Sequence, residues 1–156
     1  MSKLARSEQH SNSVLARGLK EFLLFTLAGE PYAVELGRVR EIVSPPLLTR
    51  VPRAASEVMG VCSVRGLLVT VIDLRRKIRV QQSAATRSSR ILLTRTAEDE
   101  VVGLFVDEVR HVVRLEGSEI ESAPVVLGGD VPDHVLGIGR TGDEVIVVLN
   151  LEGMVG

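Results

Sequence analysis

Two stretches of this chain repeat. FLLFTLAGEPYAVELGRVREIV, from Phe22 to Val43, aligns with ILLTRTAEDEVVGLFVDEVRHVV, from Ile91 to Val113, once the second copy is allowed one extra residue in its loop. Both read as apolar strand, polar turn, apolar strand and then V-x-x-[IV]-V. Further along, GVCSVRGLLVTVIDL, from Gly60 to Leu74, aligns with GIGRTGDEVIVVLNL, from Gly137 to Leu151, placing Ile72-Asp73-Leu74 on Leu149-Asn150-Leu151. A repeat at this period sets the whole fold, because each copy must build the same small architecture.

Within each copy the residues favour strands. FLLFTLAGEPYAVEL carries β-compatible residues on both sides of a Gly29-Glu30-Pro31 turn, and RILLTRTAEDEVVGLFVDEV carries them around an acidic turn, so both predict hairpins. LLVTVIDL and VIVVLNL are short β-branched runs bounded by glycine and polar residues, which suits buried strands. Helix is confined to one or two turns at Ala54 to Met59 and another at Asp73 to Ile78. Short strands with closely spaced turns predict an all-β, mainly β fold of small barrels rather than an open parallel sheet. Residues 1–20 lack periodicity and predict a flexible tail, and QQSAATRSS at 81–89 reads as the linker between the copies. Ser44 to Pro46 and Gly128 to Asp133 interrupt the two copies at comparable places as loops.

With 156 residues, 45% apolar and 25% charged, the chain suits one domain or two very small ones. Its longest apolar run, Val145 to Leu149, is far below the roughly 20 residues of a membrane-spanning helix, so no direct membrane insertion is expected. The opening MSKLARSEQHSNSV lacks the apolar stretch of a secretory signal, and the lone Cys62 suits a reducing compartment, so the expected location is the cytoplasm. Residues 1–82 hold 13 Lys/Arg and 7 Asp/Glu, a charge of +6, whereas residues 83–156 hold 6 and 13, a charge of −7. The basic residues of the first half are dispersed, and the chain has 3 Phe, 1 Tyr and no Trp on which bases could stack, which disfavours nucleic acid as a partner. Proteins of complementary charge, or simple solvation, account for the asymmetry.

Catalytic and cofactor chemistry finds no footing. Gly137 to Gly142, GIGRTG, satisfies G-x-G-x-x-G, but the following DEVIVVLNL reads as a strand where dinucleotide binding needs a helix N-terminus. His10, His111 and His134 are scattered and match no zinc spacing. Cys62 and Ser63 lack a nucleophile signature and Cys62 reads as a small buried thiol. Glu98-Asp99-Glu100 and Asp107-Glu108 read as solvated acidic turns. The expectation is therefore no catalytic residue, no cofactor and no metal.

The copies differ most where a hairpin turns. Arg65-Gly66 stands between two apolar strands, and the second copy has Gly142-Asp143 there. A charged tip suits both divergence of function and solubility. Glu41, in the V-R-E-I-V segment, is the expected partner of Arg65 through a guanidinium–carboxylate bond.

In order and spacing, these motifs resemble the CheW family of chemotaxis coupling proteins over about residues 20–154. The first hairpin, Val39-Arg40-Glu41-Ile42, the PRAASEVMGVCSVRGLLVTVIDL signature, Gly103 to Val109, Ile120 to Pro124 and the hairpin from Gly137 each match a family element. The resemblance implies two tandem SH3-like five-stranded β-barrels on a shared hydrophobic core, about 21–80 and 90–150, with a few short helices and the C-terminal end packing back. It further implies a non-enzymatic adaptor that binds the regulatory domain of a CheA-type histidine kinase and the cytoplasmic signalling tip of chemoreceptors, recruited to membrane-associated arrays. Carried over by position, Glu41 and Arg65 would form the family's structural and receptor-sensitive pair. Val39, Ile42 and Gly60 would lie on or near partner surfaces of the first barrel, and Val109 and Val112 would line the groove that takes the receptor tip. Departures from the family pattern at Ala55, Glu57, Met59, Ser63 and Thr70 bear on partner choice, and leave open a kinase antagonist or insulator in a motility or developmental pathway.

Overall fold

The computed structural model describes residues 19–122 and 133–152. The strands are β1 (Lys20–Leu27), β2 (Glu30–Glu35), β3 (Val39–Val43), β4 (Val58–Val64), β5 (Leu67–Asp73), β6 (Arg90–Arg95), β7 (Val101–Val106), β8 (Glu108–Leu115), β9 (Ile120–Ser122), β10 (Val135–Thr141) and β11 (Glu144–Leu149). One helical turn, α1 (Leu74–Lys77), follows β5, and its N-terminus is capped by the Asp73 carboxylate accepting from the Arg75 N–H. The expected helix at Ala54 to Met59 is absent: Pro52–Arg53 and Ser56–Glu57 are turns, and β4 begins at Val58. The first hairpin reverses at Ala28-Gly29, with φ of 53° and 80°, and Pro31 already pairs with Thr26 inside β2. The turn thus lies earlier than expected. Most of the expected tail and of the Gly128 to Asp133 loop, and the residues after Glu152, lie outside the described residues.

The strands form two sheets, ordered β3-β6-β7-β5-β4 and β8-β1-β2-β11-β10-β9. The duplication is visible in this order. Replacing each strand of the first sheet by its repeat counterpart gives β8-β1-β2-β11-β10, the second sheet without β9. Even the irregularities match: β4 and β5 slip register between Val58 and Gly60, and β10 and β11 slip between Val135 and Gly137. Asp73 N donates to Glu57 O at 2.8 Å, and Asn150 N donates to His134 O at 2.8 Å.

The sheets are not contiguous halves of the chain, so the boundaries 21–80 and 90–150 do not delimit them. Hairpin β1–β2 sits in the sheet of the second copy, and β6–β7 in that of the first. Connection length explains the exchange. A strand beside β1 on the side away from β2 must run parallel to β2, as β8 does, and a parallel return needs a crossover of about a dozen residues. Only Leu36–Arg38 separates β2 from β3, so β3 enters the other sheet. Asp107 alone separates β7 from β8, with the same result. Residues 81–89 accordingly join α1 to β6 within one sheet rather than bridging two barrels.

Neither sheet closes into a barrel, contrary to the expectation. The outer edge of β4 is occupied by Thr49, which exchanges backbone bonds with Val61 at 2.9 and 2.8 Å, and that of β10 is occupied by β9. Among the described residues β3 and β8, at the other ends of the two sheets, pair on one side only. Gly60 and Gly137 let these covering segments approach, since a Cβ would lie 2.6 Å from Thr49 O and 2.5 Å from Glu121 O respectively.

Alternation along the exchanged hairpins fills three apolar clusters. Phe22 and Leu24 pack with Ala33, Ile146 and Val148 inside the second sheet; Ile91 and Leu93 pack with Val69, Val71 and Phe105 inside the first. Leu23, Phe25 and Leu27 meet Leu74, Leu92, Leu104 and Leu149 in a core shared by both sheets. Burial on both faces accounts for the uninterrupted apolar character of these strands.

Candidate functional site

The open seam of the first sheet lies between edge strand β3 and the β4–β5 hairpin, and an ion pair spans it. Arg65 Nε donates to both oxygens of Glu41, at 3.0 and 3.1 Å, and a terminal guanidinium nitrogen makes a further bond to Oε2. The Arg65 side chain is 75% exposed and that of Glu41 32%. In this setting a guanidinium pair contributes geometry more than stability. The hydrogen bond from Arg65 holds the Glu41 carboxyl below the usual glutamate range, and the Arg65 guanidinium is pushed up in return. Behind the pair a cleft is walled by Arg40 and Leu67 and floored by Val69, Leu93 and Val101.

Arg65 is one of five described non-glycine residues with positive φ, the others being Ala28, Arg53, Arg79 and Asp99. Its φ is 52°, in the left-handed region that disfavours a side chain, and its repeat counterpart Gly142 has φ 60°. The second copy makes this turn with glycine, and the first keeps an arginine despite the cost. What sets Arg65 apart from the others is the bond that its side chain makes to Glu41 across the seam.

The sequence-derived residues fall into three environments. Val39 and Val109, equivalent in the repeat, are half-buried against the shared core at the starts of β3 and β8. Ile42 and Val112, also equivalent, are exposed, at 40% and 42%. Gly60 is buried beneath the Thr49 backbone, so it shapes the segment above it rather than presenting a surface itself. The structure brings Glu41 and Arg65 together. It sets Ile42 and Val112 on the free edge strands of different sheets.

Sequence reasoning missed a buried charge network. Arg75, with its side chain 4% exposed, donates to Asp73 Oδ1 and Oδ2 at 3.0 Å each, to Asp107 Oδ1 at 2.8 Å and to Ser83 O at 2.8 Å. Its guanidinium lies 4.8 Å from the Phe105 ring centroid. Asp107 Oδ2 accepts the Ala28 N–H at 2.8 Å. The network joins the end of β5, the tip of the exchanged hairpin and the β7–β8 junction. Asp107, read as one of a solvated acidic pair, is instead half-buried and structural. Arg75 stands in a run of basic residues, Arg75-Arg76-Lys77, that no spacing rule distinguishes; the capping Asp73 before the helix was the only cue. Also missed were the exposed apolar residues Leu68 and Val145, at 75% and 55%, which are repeat counterparts.

Cys62 and the glycine-rich motif also have defined places in the structure. Cys62 is buried, and burial pushes its thiol up. Gly137 and Gly139 are buried within β10, and β11 follows the motif, so GIGRTG is strand and turn. Among the described residues no group of three or more His, Cys, Asp or Glu is placed to hold a metal ion, and no helix is long and apolar enough to cross a membrane.

Comparison with known proteins gives consistent matches. The family model for the CheW-like domain matches residues 21–156. The chain is 30% identical to Chemotaxis protein CheW of Klebsiella aerogenes, covering 85% of this chain and 80% of that protein. It is 31% identical to Protein FrzA of Myxococcus xanthus, covering 86% and 84%. The crystal structure of scaffolding protein TtCheW from Thermoanaerobacter tengcongensis superposes with a TM-score of 0.79 at 29% identity, covering 87% of this chain and 92% of that one.

Proposed function

The chain belongs to the CheW-like domain family, and we propose that it is a non-catalytic cytoplasmic adaptor that couples chemoreceptors to a CheA-type histidine kinase. The observation that carries this reading is a family match over nearly the whole described chain, joined to a structural match at a TM-score of 0.79. In this account Ile42 and the Glu41–Arg65 seam belong to one partner surface. Val112, backed by Val109, belongs to the surface that takes the receptor tip. Exposed apolar residues anchor such contacts through desolvation, and flanking charges orient them. The Glu41–Arg65 bond keeps the β4–β5 hairpin and edge strand β3 in one geometry where no backbone ladder does so. Val39 supports the same surface from the shared core, and Gly60 keeps the Thr49 segment against β4.

The test is direct binding of the full chain to a receptor signalling fragment and to a kinase regulatory domain. Binding to both, with a ternary complex in gel filtration, is the expected result; binding to neither overturns the adaptor reading. Ser63 and Thr70, two of the departures from the family pattern, are exposed on β4 and β5. Exposed departures bear on partner choice, and the second reading is that the protein engages the kinase as an antagonist or insulator. Binding to the kinase with loss of its receptor-stimulated activity would select that alternative.

A further inference from the structure

We propose that Arg110 and Glu144 form a second positioning pair, a charge-reversed counterpart of Glu41–Arg65, that fixes edge strand β8 for its partner. The proposal rests on the assignment of β8 to the receptor-facing surface made above.

The repeat supplies the argument. Val39–Val43 corresponds to Val109–Val113, and Gly60–Leu74 corresponds to Gly137–Leu151. At the positions of Glu41 and Arg65 the second copy has His111 and Gly142, and glycine offers no side chain to bridge the seam. The seam is bridged nevertheless. Arg110, one position before His111, donates to Glu144 Oε2 at 2.9 Å, and Glu144 lies two positions past Gly142 at the start of β11. The side chains are 28% and 38% exposed, so both are partly sheltered. In each copy a free edge strand is thus tied by one ion pair to the hairpin across the unpaired gap. The residues used differ, and the polarity is inverted: the carboxylate is on the strand in the first copy and the guanidinium in the second.

Two consequences bear on recognition. Among the described residues β8 pairs with β1 alone, and its register with β1 slips between Leu23 and Phe25, opposite Val112 and Val109. Arg110 and His111 lie between those partners, so the Arg110–Glu144 bond pins the irregular stretch and with it Val112. Opposite polarity also separates two otherwise matching surfaces, each with an exposed apolar residue on its edge strand (Ile42, Val112) and another on its hairpin (Leu68, Val145). A partner whose charges suit one seam meets like charge at the other, which discriminates partners of similar shape.

The experiment measures binding of the full chain to a receptor signalling fragment and, in parallel, to a kinase regulatory domain, with urea midpoints recorded for every variant. R110E and E144R are each expected to weaken receptor binding about fivefold, with kinase binding and midpoint unchanged. R110E/E144R, which restores the pair in the polarity of the first copy, is expected to recover binding to within about twofold of wild type. Wild-type receptor binding by R110E, or a double variant no better than the singles, overturns the proposal. V112D tests the underlying assignment: if it weakens receptor binding while R110E does not, only the pair is misassigned. If V112D binds the receptor as wild type does, β8 is not the receptor surface, and the proposal falls with that reading.

Discussion

Replacing Arg75 by methionine removes the guanidinium that binds both Asp73 oxygens and Asp107, and leaves Asp73 with Arg76, whose Nε lies 3.6 Å from Asp73 Oδ2. The Arg75 side chain is 4% exposed and Asp73 is fully buried, so truncation strips the buried carboxylate of both its hydrogen bonds to the Arg75 guanidinium and leaves only the longer contact with Arg76 as counter-charge. Breaking a buried pair in this way costs about 3–5 kcal/mol, a large fraction of the ~5–15 kcal/mol that holds a domain together. Methionine matches the aliphatic stem, so the loss reports the charge network rather than a cavity. Urea unfolding followed by far-ultraviolet circular dichroism is the assay, because the chain has no Trp. With a urea dependence near ~2 kcal/mol per M, the midpoint should fall by about 2 M at unchanged slope. R75M/D73N, which also neutralises the stranded carboxylate, should recover part of the loss. A midpoint within about 0.3 M of wild type for R75M would show that the network does not tie the tip of the β1–β2 hairpin and the β7–β8 junction to the end of β5.

The seam pair should behave in the opposite way. R65E or E41R should abolish receptor-dependent kinase stimulation with little change in the urea midpoint, and E41R/R65E should restore part of it; stimulation by either single variant at the wild-type level refutes the positional role. The Glu41 carboxyl, followed by NMR, should titrate below the usual glutamate range and return to it in R65A. Because the folded value is the lowered one, the pair's contribution is intact above the range where an unfolded glutamate titrates and fades as pH falls through the folded value. A Glu41 titration unmoved by R65A would show that the bond does not form in solution. G60A and G137A should each destabilise by about 1–3 kcal/mol, since a Cβ at either position meets the carbonyl of the covering segment. A neutral result at both would mean that those segments are not packed as described.

Much of this arrangement was legible in the residues. The repeat located the strands of both copies because apolar alternation and turn residues recur at matching places. It also marked Arg65, since the other copy carries glycine there, and Glu41 followed as its expected partner. What escaped is what local pattern does not encode. Alternation says which face of β1 is apolar but not which sheet receives it, so the exchange of the hairpins was hidden in the shortness of Leu36–Arg38 and of the Asp107 junction. The barrels were expected closed because nothing in the sequence shows Thr49 lying along β4. Ala54 to Met59 has helix-forming composition, yet Glu57 is drawn into β-type contact, its carbonyl accepting the Asp73 N–H. Arg75 was unreadable because burial alone distinguishes it from Arg76.

The adaptor reading is tested most directly by reconstituting a CheA-type kinase with receptor-bearing membranes and titrating in this protein while following autophosphorylation. The account predicts that kinase activity rises with added protein, saturates, and comes under control of the receptor ligand. Activity indifferent to the protein at saturating concentration, with neither component retained by it, would contradict the account.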